Sequence, residues 1–437
     1  MDRVDTLIKP QCIVPVVPRG EVLSDHVLAI SDGRISGIFP AADAASIEAA
    51  EVVELSGHAI FPGLVNCHGH AAMTLLRGFA DDLALMPWLE QHIWPAEGAH
   101  VSPEFVADGS DLAMAELIRS GTTCFADMYF FPNVVAERAQ LAGLRCQLSF
   151  PVFDFPSAWG KDADDYISKG LALRDDLKHS SLVNVVFGPH APYTVNADAL
   201  AKIAMLANEL DLPIHIHLHE TQGEVDDSVK LYGERPLERL AGLGLIGPRT
   251  QCVHMTALNQ DDIALLATVG AHVVHCPESN MKLASGRCPV VELQAAGVNV
   301  ALGTDSAASN NDLSMSGEMR SAALLAKLGE GDASALNAAA VLEMATINGA
   351  IAMGLQDDIG SLEVGKSADI IAVDFSQPET QPLYSPVSQL VYAAQASQVT
   401  HSWVAGRMLL CERQLTTLSL ESTLARAAHW RNTIATS

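Results

Sequence analysis

Through the middle of the chain, short apolar runs alternate with longer stretches whose apolar residues recur every three or four positions. Residues 183–188 (Val-Asn-Val-Val-Phe-Gly) are followed by the helix-like 196–206, and residues 213–219 (Pro-Ile-His-Ile-His-Leu-His) by a polar loop and another helical stretch. Residues 251–254 precede the helical 261–266, 272–276 precede 290–297, and the strand-like 298–305 comes next. Strand-then-helix order kept up over about 290 residues predicts an α/β protein, a (β/α)8 barrel of the TIM type. No low-complexity linker interrupts it.

The two ends read differently. Residues 27–30 and 35–38 are apolar and flank the turn Ser-Asp-Gly-Arg, a hairpin pattern. Residues 360–366, 368–373 and 401–407 repeat that texture near the C-terminus, so the two ends are expected to pair into one small β domain.

Composition narrows the class. With 49% hydrophobic residues the chain can fill a large core, and with only 5% aromatics that core is mostly aliphatic. Lys plus Arg is 26 and Asp plus Glu is 52, so the net charge is 26 − 52 = −26. Such a charge argues against nucleic acid or an anionic membrane as partner. No run of eighteen apolar residues marks a membrane span. The first residues lack the apolar core of a signal peptide. None of the 8 cysteines forms a Cys-x-x-Cys pair, so the expectation is a cytoplasmic protein with reduced thiols.

The chemistry collects at one kind of address, the last residues of apolar runs. The stretch 62–70 (Pro-Gly-Leu-Val-Asn-Cys-His-Gly-His) ends in His68 and His70, which share one strand face. His215, His217 and His219 alternate with Ile214, Ile216 and Leu218; His254 ends residues 251–254, and Asp305 ends 298–305. Any one of these histidines could be a hydrogen-bonded core residue. Together, at the C-terminal mouth of a barrel, they suit a divalent transition metal, zinc or iron, in an open and hence catalytic site. Such a metal lowers the pKa of its water and supplies hydroxide. Glu220, three residues after His217, can be the proton donor that attack on a ring carbon requires, or merely a charge at a helix N-terminus. Residues 184–190 contain no lysine that could be carboxylated to bridge two ions, so one metal ion is expected.

These motifs, with residues 188–193 (Gly-Pro-His-Ala-Pro-Tyr), 217–220 (His-Leu-His-Glu), 275–280 (His-Cys-Pro-Glu-Ser-Asn) and 303–311, resemble the amidohydrolase superfamily along essentially the whole chain. The closer likeness is to the branch of methylthioadenosine/S-adenosylhomocysteine deaminases and triazine hydrolases. The resemblance implies a β-sandwich part at 1–60, the barrel at 61–355, and the second sandwich part with a C-terminal helix at 356–437. It implies that His68, His70, His217 and Asp305 hold the metal, that Glu220 is the acid/base, and that His254 orients the hydroxide. Only the resemblance selects His217 from the three neighbouring histidines.

It also implies substrate contacts. Glu97 matches a glutamate that binds ribose hydroxyls, His190 matches a second contact, and Glu220 and Asp305 face the reacting ring. Arg145 lies in a plausible segment for a distal contact, but residues 153–159 offer no clear second arginine, which favours an uncharged methylthio tail. Trp88 and Trp159 could line its pocket, but buried packing is the favoured role for either. The expected reaction is deamination of a 6-aminopurine nucleoside, 5′-methylthioadenosine first, with S-adenosylhomocysteine or adenosine next, to an inosine-type product and ammonia. The rivals are another heteroaromatic ring (an s-triazine, pterin or guanine-like base) and a non-catalytic scaffold. The expected partner is this small molecule, with self-association left open. The His-x-Glu and Pro-Cys-x-x-Cys signature of the cytidine-deaminase fold is absent.

Overall fold

The computed structural model describes residues 3–436. Eight strands form one sheet in chain order: β1 (Leu64–Asn66), β2 (Thr122–Asp127), β3 (Arg145–Val152), β4 (Val183–Pro189), β5 (Ile214–Leu218), β6 (Thr250–His254), β7 (His272–His275) and β8 (Val300–Leu302). The pairs from β3 to β8 are parallel. The last strand returns to the first: Cys67 N–H donates to Leu302 O at 2.9 Å and Asp305 N–H to His68 O at 3.0 Å. The result is the nearly closed barrel expected from the alternation.

Both faces of these strands are covered. All eight residues of β3 and all five of β5 are buried, as parallel strands between helices and a filled interior require. The helix Ala197–Glu209 buries Ala199, Leu200, Ile203, Ala204 and Ala207, a single stripe. Its start is set by Asn196, whose side chain accepts the Ala199 N–H at 2.9 Å. Gly188 is required between β3 and β4, because a Cβ there would stand 2.8 Å from Phe150 O.

By contact density the chain has two compact units. One holds residues 66–114, 125–313 and 420–437; the other holds the residues up to 65, 115–124 and 314–419. Within the second, nine strands form a further sheet that joins the two chain ends. Its path runs Gln414–Leu415, Arg407–Cys411, Val399–Val404, Ile370–Asp374, Ala49–Pro62, Val4–Ile13, His26–Ser31 and Arg34–Pro40, with Leu23–Ser24 beside Val4–Ile13. The seam is antiparallel, Pro62 opposite Ile370. Ile30 and Ile35, near one end of this path, share a core with Trp403 from the strand Val399–Val404 nearer the other end. No helix among the described residues is long and apolar enough to cross a membrane.

Candidate active site

The ends of β1, β5, β6 and β8 bring His68, His70, His217, His254 and Asp305 together. Two triads, His68–His217–His254 and His68–His70–Asp305, have ligand atoms within 4.8 Å of one another. His217 Nε2 stands 3.2 Å from His68 Nε2. Asp305 Oδ1 is 3.4 Å from His68 Nε2 and 3.3 Å from His70 Nε2. Donors about 2.1 Å from a shared tetrahedral ion would stand about 3.4 Å apart.

The order of protons explains why such a cluster needs a cation. His70 Nδ1 faces Met128 O at 2.6 Å and His217 Nδ1 faces His190 O at 2.8 Å, so both carry hydrogen on Nδ1 and a lone pair on Nε2. His68 is fixed through a relay. Gln251 Oε1 accepts from His215 Nδ1 at 2.7 Å and from Gln147 Nε2 at 3.0 Å. His215 Nε2 must then accept from His68 Nδ1, 2.8 Å away. Three imidazole lone pairs and a carboxylate therefore converge, with no proton assigned among them. A divalent ion satisfies all four, and these residues fit one.

Electrostatics agrees. Burial holds His68 and His217 well below the usual imidazole range. Burial also pushes Asp305 up, but its contacts with His68 and His70 outweigh that and hold it well below the carboxylate range. Its Oδ2 accepts from Ser279 Oγ at 2.7 Å and Ser309 Oγ at 3.1 Å, and its Oδ1 from Ser306 N–H at 2.7 Å. In the bare protein, burial lowers His70 but Asp305 and the Met128 carbonyl raise it, to about 9, so without an ion a proton on Nε2 takes the place the cation would fill.

Glu220 is buried beside the cluster, its Oε2 3.8 Å from His254 Nε2. Burial raises its carboxyl, with His254 opposing. His254 Nδ1 lies 2.9 Å from Asn280 Oδ1, which leaves the Nε2 lone pair facing Glu220. A cavity of about 620 Å³ opens over these groups; Glu97, His190, Glu220, His254 and Asp305 all line it. Glu97 accepts from Tyr129 Oη at 2.7 Å, and His190 Nδ1 lies 3.1 Å from Thr194 Oγ1.

Three sequence expectations change. His219 does not share the mouth with His215 and His217: β5 ends at Leu218, and a φ of 51° turns His219 out of the alternation. Its Nε2 accepts the Leu237 N–H at 3.0 Å instead. Arg145 begins β3, at the end away from the mouth, and donates to Ser181 O at 2.8 Å. Trp88, expected only to pack, lines the cavity, while Trp159 packs as expected, on Tyr166 at 5.8 Å between ring centroids. Sequence reasoning passed over Tyr129 and Glu224, and gave no role to the quoted Ser279 and Asn280. The latter two sit in the 275–280 motif, which was the one available signal.

A family model described as the amidohydrolase family matches residues 59–409. A 5-methylthioadenosine/S-adenosylhomocysteine deaminase of Teredinibacter turnerae is 54% identical over 98% of this chain and 97% of its own. A crystal structure of an adenosine deaminase from Xanthomonas campestris with bound zinc is 50% identical, with a TM-score of 0.98 over 100% of this chain and 99% of that one. An atrazine chlorohydrolase of Arthrobacter aurescens superposes with a TM-score of 0.91 at 21% identity over 98% of this chain and 100% of its own, a likeness of fold alone. On the extent of the model match and the identity of these relatives, the chain belongs to the amidohydrolase family.

Proposed function

We propose that this hydrolase deaminates 6-aminopurine nucleosides, with 5′-methylthioadenosine the preferred substrate. The observation that carries this reading is the shared cavity. Glu97, Glu220 and, from the cluster, His70, His217, His254 and Asp305 all line one space, which supports a diol acceptor, an acid and a metal ion acting on one substrate. His68, His70, His217 and Asp305 would hold one ion, taken as zinc; the absence of lysine from 184–190 supports a single ion. Bound there, the ion supplies Lewis acidity that activates water at neutral pH.

The residues divide the proton work. His254 orients the attacking water through its Nε2 lone pair. Asp305 takes the water's proton as oxygen bonds to C6, while Glu220 gives its proton to N1. The C6–N bond then breaks, the amine leaves as ammonia with the proton from Asp305, and Glu220 regains a proton from the new hydroxyl. The product is the N1–H, C6=O inosine type, and atoms balance. His190 contacts the base, and Glu97 accepts from the ribose hydroxyls.

The tail selects among nucleosides. Among the described residues, no lysine or arginine lines the cavity, and Phe130, Phe153 and Phe155 do. That lining supports the uncharged methylthio group over a homocysteine carboxylate. The test is ammonia release across methylthioadenosine, adenosine, S-adenosylhomocysteine, free adenine and an s-triazine. Glu220→Gln should keep its metal and lose about 10²–10⁴ in kcat. Near-parental turnover in that variant, or a triazine preferred over every nucleoside, refutes the reading.

A further inference from the structure

Glu97 depends on a neighbour that the proposed reaction does not use. Tyr129 lies just beyond β2, is 4% exposed, and lines the same cavity. Its hydroxyl donates to Glu97 Oε1 at 2.7 Å. Glu97 itself is on the short helix Trp94–His100 rather than on a barrel strand. Its flexible side chain would lose affinity to ordering each time it met a ligand. The phenol is rigid by comparison, with Phe130 at 5.2 Å and His70 at 6.5 Å between ring centroids.

We propose that Tyr129 is a positioning residue: by occupying Glu97 Oε1 it presents Oε2 to the cavity and sets the preference for nucleosides that carry an intact 2′,3′-diol. This rests on Glu97 being the diol acceptor. A tyrosine suits the task because its donor is neutral, so the carboxylate keeps its charge for the substrate. Burial pushes the Glu97 carboxyl up to about 7, and the Tyr129 hydrogen bond works against that shift. Burial and Glu97 together hold the Tyr129 phenol well above its ordinary range, so it stays a donor.

Tyr129→Phe removes one oxygen and keeps the ring. The full-length, zinc-loaded enzyme is assayed on adenosine and 2′,3′-dideoxyadenosine. The expected result is a KM for adenosine raised about tenfold, kcat within about twofold, and no change on the dideoxynucleoside. In a Glu97→Gln background, Tyr129→Phe should add nothing. Calorimetric binding of inosine, which cannot turn over, should weaken by the same factor. Equal losses on both nucleosides, or an unchanged KM for adenosine, overturn the proposal. Failure of the underlying reading shows elsewhere: the parent would not prefer adenosine to its dideoxy analogue, and Glu97→Gln would leave that ratio alone.

Discussion

His215 does not line the cavity, yet its loss should weaken metal binding. The perturbation is His215→Phe, which keeps a flat ring of similar size. His68 and His215 are fully enclosed, so no water can replace the bond from His68 Nδ1 to His215 Nε2, 2.8 Å long. Its removal leaves a buried N–H without a partner, about 1–3 kcal/mol. It also frees His68 to move its proton to Nε2, the atom aimed at the cluster. Losing such an outer partner typically lowers metal affinity by about 10–100-fold. At 1.4 kcal/mol per tenfold, that is about 1.4–2.8 kcal/mol, in line with the first figure. Zinc affinity is read by chelator competition, and the metal-free variant is melted separately to isolate the packing loss. A zinc affinity within threefold of the parent, with only the metal-free stability reduced, would refute the relay.

Three other outcomes follow from the same geometry. Burial pushes the Glu97 carboxyl up to about 7, and its ionised form is the stronger acceptor, so, if Glu97 holds the diol, KM for a nucleoside should rise as pH falls through about 7; Glu97→Gln should flatten that profile, and an unchanged slope counts against the diol role. Arg138 grips buried Asp111 with bonds of 2.7 and 2.6 Å, and Arg426 also donates to Asp111 and keeps its charge paired, so Arg138→Ala should cost about 1.5 kcal/mol in chemical denaturation, the low end for hydrogen bonds to a charged group; no measurable loss would mean that Arg426 alone satisfies the carboxylate. A Cβ at Gly303 would stand 2.8 Å from His68 Cβ and His68 N, so Gly303→Ala should lower the zinc bound per chain by displacing His68; full occupancy at parental affinity would contradict that.

The alternation of strand and helix made the barrel legible, because each strand is short, apolar and followed by a separate amphipathic stripe. The clustered groups were legible for the same reason, since a strand end fixes an address. What the pattern could not carry was direction beyond the last strand residue. His219 continues the alternation in sequence, but the backbone leaves the strand one residue earlier, so counting by two assigned it to the wrong side. Arg145 shows the reverse case, a strand residue at the wrong end of its strand. Tyr129 and Glu224 act through partners distant in sequence or through backbone N–H groups, and neither leaves a periodic trace.

The turn at 219 also shows where this fold spends stability. His219, His254 and Asp305 have φ of 51°, 74° and 60°, a left-handed conformation that disfavours any residue with a side chain, by about 1–2 kcal/mol. Glycine would relieve each, but glycine has no side chain to place at the mouth. At Asp305 and His254 the turn aims the side chain itself into the mouth. At His219 the side chain is tied down by Leu237 N–H, and the turn serves the next residue. Glu224 holds that turn, accepting the N–H of His219 and of Glu220 at 2.8 Å each. Glu220 is thus delivered to the cavity by a strained backbone and a second carboxylate behind it. The strain falls at the ends of β5, β6 and β8, where Glu220, His254 and Asp305 meet around one cavity, and the strands beneath them stay regular.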